Sequence, residues 1–313
     1  MAKISAPRKG SLQYWPRKRA SKILPSVNWG TISSKKPLKG FICYKCGMAT
    51  AITKDNTPDS MTKGKEIAMP ITILECPTMK ILSVRFYKNG ITMKDIVSDN
   101  LDKELKRVIK IPKKAGKKIE DIKPEDYDDV TIIAYSQPKK TGVKKTPDII
   151  EIGLQGSKEE KIKFIKENLS KELSVLDFFE KGGLVDLRGV TKGRGFQGPV
   201  KRFGIKLRHH KSEKGVRKVG SIGPWHPSRV TFRVPMAGQT GMNTRIVYNN
   251  KILEIGKSQG KFKNISNYGN VQADYMLIRG SVLGPAKRQL VLNSSARPTK
   301  KQLKKSFEII KII

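Results

Sequence analysis

Three stretches of this chain carry cations with almost no acid among them, and a chain so charged cannot bury a core there by itself. Residues 1–40 hold ten Lys and Arg and no Asp or Glu, residues 189–233 hold twelve against Glu213, and residues 279–313 hold nine against Glu308. Residues 94–181 are the opposite, with 18 of the 27 acids beside 20 basic residues. The formal net charge is +37, so +35 of it sits outside that balanced block. Charge of this size speaks to partners more than to fold. A dense polyanion relieves the self-repulsion, and nucleic acid is the commonest one. An anionic membrane would instead call for an amphipathic basic helix, a lipidation signal or a spanning segment. No run approaches the roughly 18 apolar residues of a spanning helix. Pro7, Pro16 and Pro25 break up the basic amino-terminal region where a signal peptide would carry its apolar stretch. A cytoplasmic protein with no membrane partner is expected.

Between the cationic stretches the chain reads as strands. Residues 41–53, 67–76, 80–87, 130–135, 184–191, 245–255 and 271–278 are rich in β-branched and aromatic side chains, mostly bounded by Gly, Pro, Asn or Asp. Short strands on both sides of the basic segment predict a small closed or half-closed β-barrel. In the balanced block, Ile96, Leu101, Leu105, Val108 and Ile109 keep a helical spacing over 95–110. Ile162, Ile165, Leu169, Leu173, Leu176 and Phe179 do so over 157–181, and Gly182-Gly183 supplies a stop. Both patterns predict amphipathic surface helices. The expected fold is mainly β with an α+β insertion. It comprises a basic extension at 1–40, a barrel core from 41–93, 184–191 and 234–292, a near-neutral α-rich insertion at 94–183, a central basic loop at 192–233 and a basic tail at 293–313.

The motifs that could carry chemistry do not hold up. Gly193, Gly195 and Gly198 match a dinucleotide-binding spacing after a strand, but Pro199, Lys201, Arg202, Phe203 and Gly204 follow, which is no helix start, and Glu213 is a poor ribose acid. Close approach of backbone N–H groups to phosphates accounts for those glycines better than a cofactor. Cys43 and Cys46 form one C-x-x-C, with only Cys76 and the basic-segment histidines to complete a site, so buried thiols in a core strand are expected and no metal. His209 and His210 stand beside Arg208 and Lys211 with no carboxylate to orient a tautomer. No nucleophile elbow, zinc-helix or P-loop pattern occurs. The chain does not read as an enzyme and implies no small-molecule substrate.

Residues 192–233 interleave cations with Gly, Pro, Phe196, Phe203, Trp225 and Phe232. Apolar density is too low to fold alone, yet the segment lies between two groups of strands. It reads as a loop that leaves the core, threads among phosphates and returns, reaching at most about 70 Å. Trp225 is framed by Gly223, Pro224, His226 and Pro227, which disfavour a periodic core face. Stacking on nucleotides is its expected role.

At these residues the chain closely resembles the universal large-subunit ribosomal protein 3 family. The matching stretches are Ala6-Pro-Arg-Lys-Gly-Ser-Leu12 with Pro16-Arg-Lys-Arg19, then Val190-Thr-Lys-Gly-Arg-Gly-Phe-Gln-Gly-Pro-Val-Lys-Arg-Phe-Gly204. His209-His-Lys211, Arg217-Lys-Val219 and Gly223-Pro-Trp-His-Pro-Ser-Arg229 follow in order, then Ala237-Gly-Gln-Thr-Gly241 and Gly280-Ser-Val-Leu-Gly-Pro-Ala-Lys287. The neutral insertion and the amino-terminal pattern look archaeal. The resemblance implies a translation-protein-type β-barrel on the outer face of the subunit, contacts with 23S-type rRNA near its 3′ end and an early role in assembly. It also implies two extensions that enter the RNA, the central one directed toward the peptidyl-transferase centre and the path of aminoacyl-tRNA. Partners on this reading are large-subunit rRNA and neighbouring ribosomal proteins. Expected rRNA contacts are Arg8, Lys9, Arg17, Lys18, Arg19, Lys192, Arg194, Phe196, Lys201, Arg202, His209, His210, Lys211, Arg217, Lys218, Trp225, His226, Arg229, Gln239, Arg245, Lys287 and Arg288. Gln239 matches a glutamine modified in some bacterial members. The alternatives are a free-standing RNA chaperone or accessory RNA-binding protein, and an RNA-modifying enzyme, which would need a cofactor loop or an acid/base pair.

Overall fold

The computed structural model describes residues 10–112 and 126–313. In chain order these form β1 (Gly40–Asp55), β2 (Glu66–Cys76), β3 (Met79–Lys88), β4 (Ile91–Val97), β5 (Asp129–Ser136) and β6 (Ile149–Gly153). Then come α1 (Lys158–Asn168), α2 (Val175–Phe178), β7 (Leu184–Val190), β8 (Phe196–Gln197), α3 (Pro199–Phe203) and β9 (Gly238–Gln239). The chain ends in β10 (Thr244–Lys257), β11 (Asp274–Arg279), β12 (Gln289–Ser294), α4 (Lys300–Lys304) and β13 (Phe307–Ile312). Two units divide it: residues 1–22 with 190–244, here the loop unit, and residues 23–189 with 245–313, the sheet unit.

The sheet unit is mainly β. Its larger sheet runs β12-β7-β10-β11-β2-β1-β13, and β1 also pairs with β12, so six of the strands pair around a ring. The long β1 makes this possible. Its first residues, from Gly40 to Tyr44, lie antiparallel to β12, while the far residues from Ala51 to Asp55 take β13. Alternation along the strands feeds two apolar clusters. Leu74, Ile252, Met276 and Ile278 enter the first, while their chain neighbours Ile73, Leu253 and Leu277 enter the second, as a period of two requires. A bulge between Lys45 and Gly47 leaves Cys46 as the extra residue of β1 opposite β2. All three cysteines are buried and free: Cys43 and Cys76 join the first cluster and Cys46 the second.

The seven strands expected from the sequence all form, and β4, β6, β12 and β13 join them. The balanced block is where the structure departs from expectation. Rather than being α-rich, it contributes most of a four-stranded sheet, β4-β3-β5-β6. The expected helix at 95–110 is replaced by the end of β4 and a short 3-10 turn at Lys103–Arg107. Pairing of Ile96 and Val97 with Val84 and Ser83 takes precedence there, and the apolar spacing survives only as Leu105 packing under Leu101 and Ile109. The expected helix over 157–181 stops at Asn168. A capping box of Ser157 and Glu160 starts α1, but Leu173 exchanges two backbone hydrogen bonds with Met79 (3.0 and 2.8 Å). A helix cannot offer those groups to a strand, so α2 has to restart from the Ser174 cap. The basic stretch at 23–40 carries Trp29, Ile32 and Leu38 into the first cluster. The basic residues after 293 are followed by β13, clamped on β1.

Candidate nucleic-acid interface

The loop unit is built on a short hairpin. Phe196 and Gln197 of β8 pair with Gln239 and Gly238 of β9, and further backbone bonds run from Arg194 N–H to the Thr240 carbonyl (2.9 Å) and from Thr240 N–H to the Gly195 carbonyl (2.9 Å). Gly241, at φ +75°, lies so close to Lys192 that a Cβ would stand 1.9 Å from its carbonyl oxygen. The glycine-rich motif therefore closes a loop on itself. The one-turn helix α3 begins at Pro199, where the sequence had suggested no helix start. Proline suits the first helical position, since the N–H it lacks would find no helical acceptor, and Gly204 ends the turn in the left-handed region at φ +65°.

Around that hairpin an aromatic cluster fastens the amino-terminal segment to the central loop. Trp15 stacks on Phe203 (ring centroids 6.5 Å) and meets Phe232 edge-on (5.4 Å). The Arg17 guanidinium lies 4.5 Å from the Phe203 ring and 5.5 Å from Trp15, and donates to the Ser11 carbonyl at 3.0 Å. Arg202 donates to the Gln239 and Met236 carbonyls (3.0 and 2.9 Å) and lies 5.1 Å from Phe203. Burial lowers the Arg202 guanidinium below its ordinary pKa. Arg17 and Arg202 thus spend their cations on the protein. Gln239 turns its amide toward the Thr240 and Gly241 carbonyls (3.1 and 3.4 Å). Arg233 joins the cluster with its guanidinium 5.9 Å from the Phe232 ring; the sequence gives no signal for it, and for Trp15 the one signal is an aromatic in a stretch with no apolar period.

Most of the other expected contacts face outward. Lys18, Arg19, Lys192, Arg194, Phe196, Lys201, His209, His210, Lys211, Arg217, Lys218, Trp225, His226 and Arg229 are exposed. Trp225 is 88% exposed and Phe196 77%. His209 and His210 ride a small turn closed by Arg208 N–H on the Val216 carbonyl (3.0 Å), with their rings 4.1 Å apart. In the sheet unit, Arg245 lies on β10 and Lys287 and Arg288 precede β12. The Lys287 N–H donates to the Lys45 carbonyl (2.8 Å) and the Lys45 N–H to the Arg288 carbonyl (3.0 Å). The buried Lys45 ammonium donates to the Val282 and Gly284 carbonyls (2.8 and 3.1 Å) and so shapes the turn that presents Lys287. Arg8 and Lys9 lie outside the described residues. No group of metal-ligating side chains occurs among the described residues.

These features define a class first: a mainly β scaffold that presents exposed cations and aromatics on a glycine-rich loop unit. The chain belongs to the ribosomal protein L3 family, whose model matches residues 1–312. It is 42% identical to the large ribosomal subunit protein uL3 of Methanocaldococcus jannaschii, over 96% of this chain and 94% of that protein. The uL3 proteins of Methanothrix thermoacetophila and Archaeoglobus fulgidus are similar at 40% and 38% identity, each over 95% of this chain and 93% and 94% of theirs.

Proposed function

We propose that this protein is a structural, non-catalytic constituent of the large ribosomal subunit that binds large-subunit rRNA directly. The observation that carries the reading is the exposed, cation-rich surface of residues 192–233, twelve Lys and Arg against one acid over 189–233, in a chain that belongs to this family. The ring of six strands supports a translation-protein-type β-barrel, and the family reading seats it on the outer face of the subunit, near the rRNA 3′ end. The loop unit is the part that enters the RNA, with Trp225 directed toward the peptidyl-transferase centre. Binding at that position, together with neighbouring large-subunit proteins, fits a role early in assembly of cytoplasmic ribosomes. Arg17, Arg202 and Gln239 shape the loop, and the outward cations and Trp225 meet the nucleic acid.

Salt titration of rRNA binding tests this. If about ten phosphates are neutralised, log K should fall against log salt with a slope of about −7 to −9. A slope shallower than about −3 would overturn the electrostatic reading.

A further inference from the structure

In the sheet unit, a cleft of about 330 Å³ is lined by Lys181, Lys251, Lys304 and Lys305 together with Gly182 and Phe307. Lys301 lies on α4 beside it, and the Arg279 guanidinium sits 4.9 Å from the Phe307 ring. Among the described residues, none of these six cations forms an ion pair within 4.0 Å, whereas Lys139, Lys140, Lys144 and Lys161 of the balanced block do. The acids nearby are already engaged. Glu180 pairs with Lys36 at 3.3 Å, Glu254 holds Lys261 and Tyr275, and Glu308 accepts from Asn56. Asp55 accepts from the Thr57 N–H and from the Ser60 and Thr62 hydroxyls.

The backbone that carries these cations is also held in place. The largely buried Lys251 donates its ammonium to the Leu303 and Gln302 carbonyls (3.1 and 3.4 Å), in the last turn of α4. A cation there suits the helix end, and it pins the turn that carries Lys301, Lys304 and Lys305. The strand that follows, β13, is paired to β1. Burial lowers the Lys305 ammonium, and the like charges of Arg279 and Lys301 lower it further against an opposing pull from Asp55. Such crowding without acid partners costs stability unless an anion is supplied from outside.

We propose that this cleft is a second phosphate-binding surface for rRNA, carried by the sheet unit, in which Arg279, Lys301, Lys304 and Lys305 meet two or three successive backbone phosphates. The proposal rests on the rRNA-binding reading above and adds a contact to it. Nucleic acid fits better than a protein partner, because charged residues are depleted at the centres of protein interfaces while cations on a rigid backbone suit phosphodiesters.

The test uses the full chain and large-subunit rRNA. The triple variant Lys301→Gln/Lys304→Gln/Lys305→Gln is expected to make the salt slope shallower by about 2–3, roughly one for each phosphate that is no longer neutralised, and Lys→Arg at the same three positions is expected to restore it. A parallel variant, Lys201→Gln/Arg217→Gln/Lys218→Gln, reports the loop unit separately. An unchanged slope in the first triple beside a reduced slope in the second overturns the cleft and leaves the rRNA reading standing. A slope already shallow in the unaltered protein overturns both. An unchanged slope accompanied by loss of a neighbouring protein from the assembled subunit overturns the proposal in favour of a protein contact. If the triple does not fold, the single exposed changes Lys301→Gln and Lys304→Gln, each expected to remove about one from the slope, decide the matter the same way.

Discussion

Trp29 and Trp225 share a side chain and have opposite surroundings. Trp29 is 9% exposed, and its indole N–H donates to the Glu151 carbonyl at 2.8 Å. Gly40 and Gly153 give it room, since a Cβ on either would come within 2.5 Å of its atoms. Trp29→Ala should therefore cost about 3–5 kcal/mol of folding stability. Trp225 is 88% exposed, so Trp225→Ala should change stability by no more than about 0.5 kcal/mol. Denaturant unfolding of the two free variants compares them directly. Subunits carrying Trp225→Ala should then assemble normally and show altered tRNA binding or peptidyl transfer. A destabilised Trp225→Ala protein with normal ribosomes would return that residue to a structural role. Gly241 makes a third case. Its positive φ and its contact with the Lys192 carbonyl leave no space for a side chain, so Gly241→Ala should distort the base of the loop and weaken rRNA binding without touching a cation.

At the scale of elements, Asp102 ties the turn after β4 to β3, β5 and the segment beyond. Its carboxylate accepts from the Lys80 ammonium (2.8 Å), the Gln137 amide (2.9 Å) and the Tyr135 hydroxyl (3.0 Å). Burial pushes this carboxyl up, but the hydrogen bonds prevail and hold it below its ordinary value of 3.8. The folded form thus prefers the ionised state. The stability this contributes is fully present above pH 3.8 and is lost as pH falls through the lower folded value. Asp102→Asn should cost about 1–3 kcal/mol at neutral pH and flatten part of the acid limb. Urea unfolding at neutral and acid pH would show both, and an unchanged acid limb would count against the network. How much of this architecture the sequence disclosed follows from the same physics. β1, β2, β3 and β7 declare themselves through runs of β-branched and aromatic residues. β4 and β13 carry the same residue types in Ile91-Thr-Met-Lys-Asp-Ile-Val97 and Phe307-Glu-Ile-Ile-Lys-Ile312, but the first runs into the apparent helical spacing over 95–110 and the second closes a basic tail, so local pattern masks both until their partner strands are seen. The helical spacing over 157–181 is real, yet Met79 claims the backbone of Leu173 and cuts the helix. Period reports which faces are buried, and tertiary pairing decides which backbone partner wins. The candidate interface was legible as charge and glycine content. That Arg17 and Arg202 turn inward was not, since a composition does not show which cations have an aromatic face or a carbonyl to hold them.

At the scale of the whole molecule, the two units differ in what holds their backbones. In the sheet unit long antiparallel ladders join β1, β2, β11 and β12, interrupted between β1 and β2 by the bulge at Cys46, with both apolar clusters around them. Between residues 205 and 236 of the loop unit, the backbone hydrogen bonds are local turns, such as Ser212 N–H to the His209 carbonyl and Arg229 N–H to the Pro227 carbonyl. Every residue from 221 to 233 is exposed. Few buried contacts and solvent-facing amides place a segment at the low end of local stability. Hydrogen exchange on the free protein should accordingly find amides of 205–236 exchanging orders of magnitude faster than those of the paired strands. The hairpin of β8 and β9, backed by Trp15, Phe203 and Phe232, should fall between the two. Adding large-subunit rRNA should slow exchange across 205–236 selectively, because phosphates would supply the acceptors and counter-charge that the free loop lacks. Strong protection of that segment without RNA would mean the loop is held by the protein alone, and the division of labour between scaffold and RNA-ordered loop would fail. Equal protection gained everywhere on adding rRNA would point instead to general stabilisation by ligand binding. Selective protection beginning beyond Gly204 would mark where protein packing ends and nucleic acid takes over.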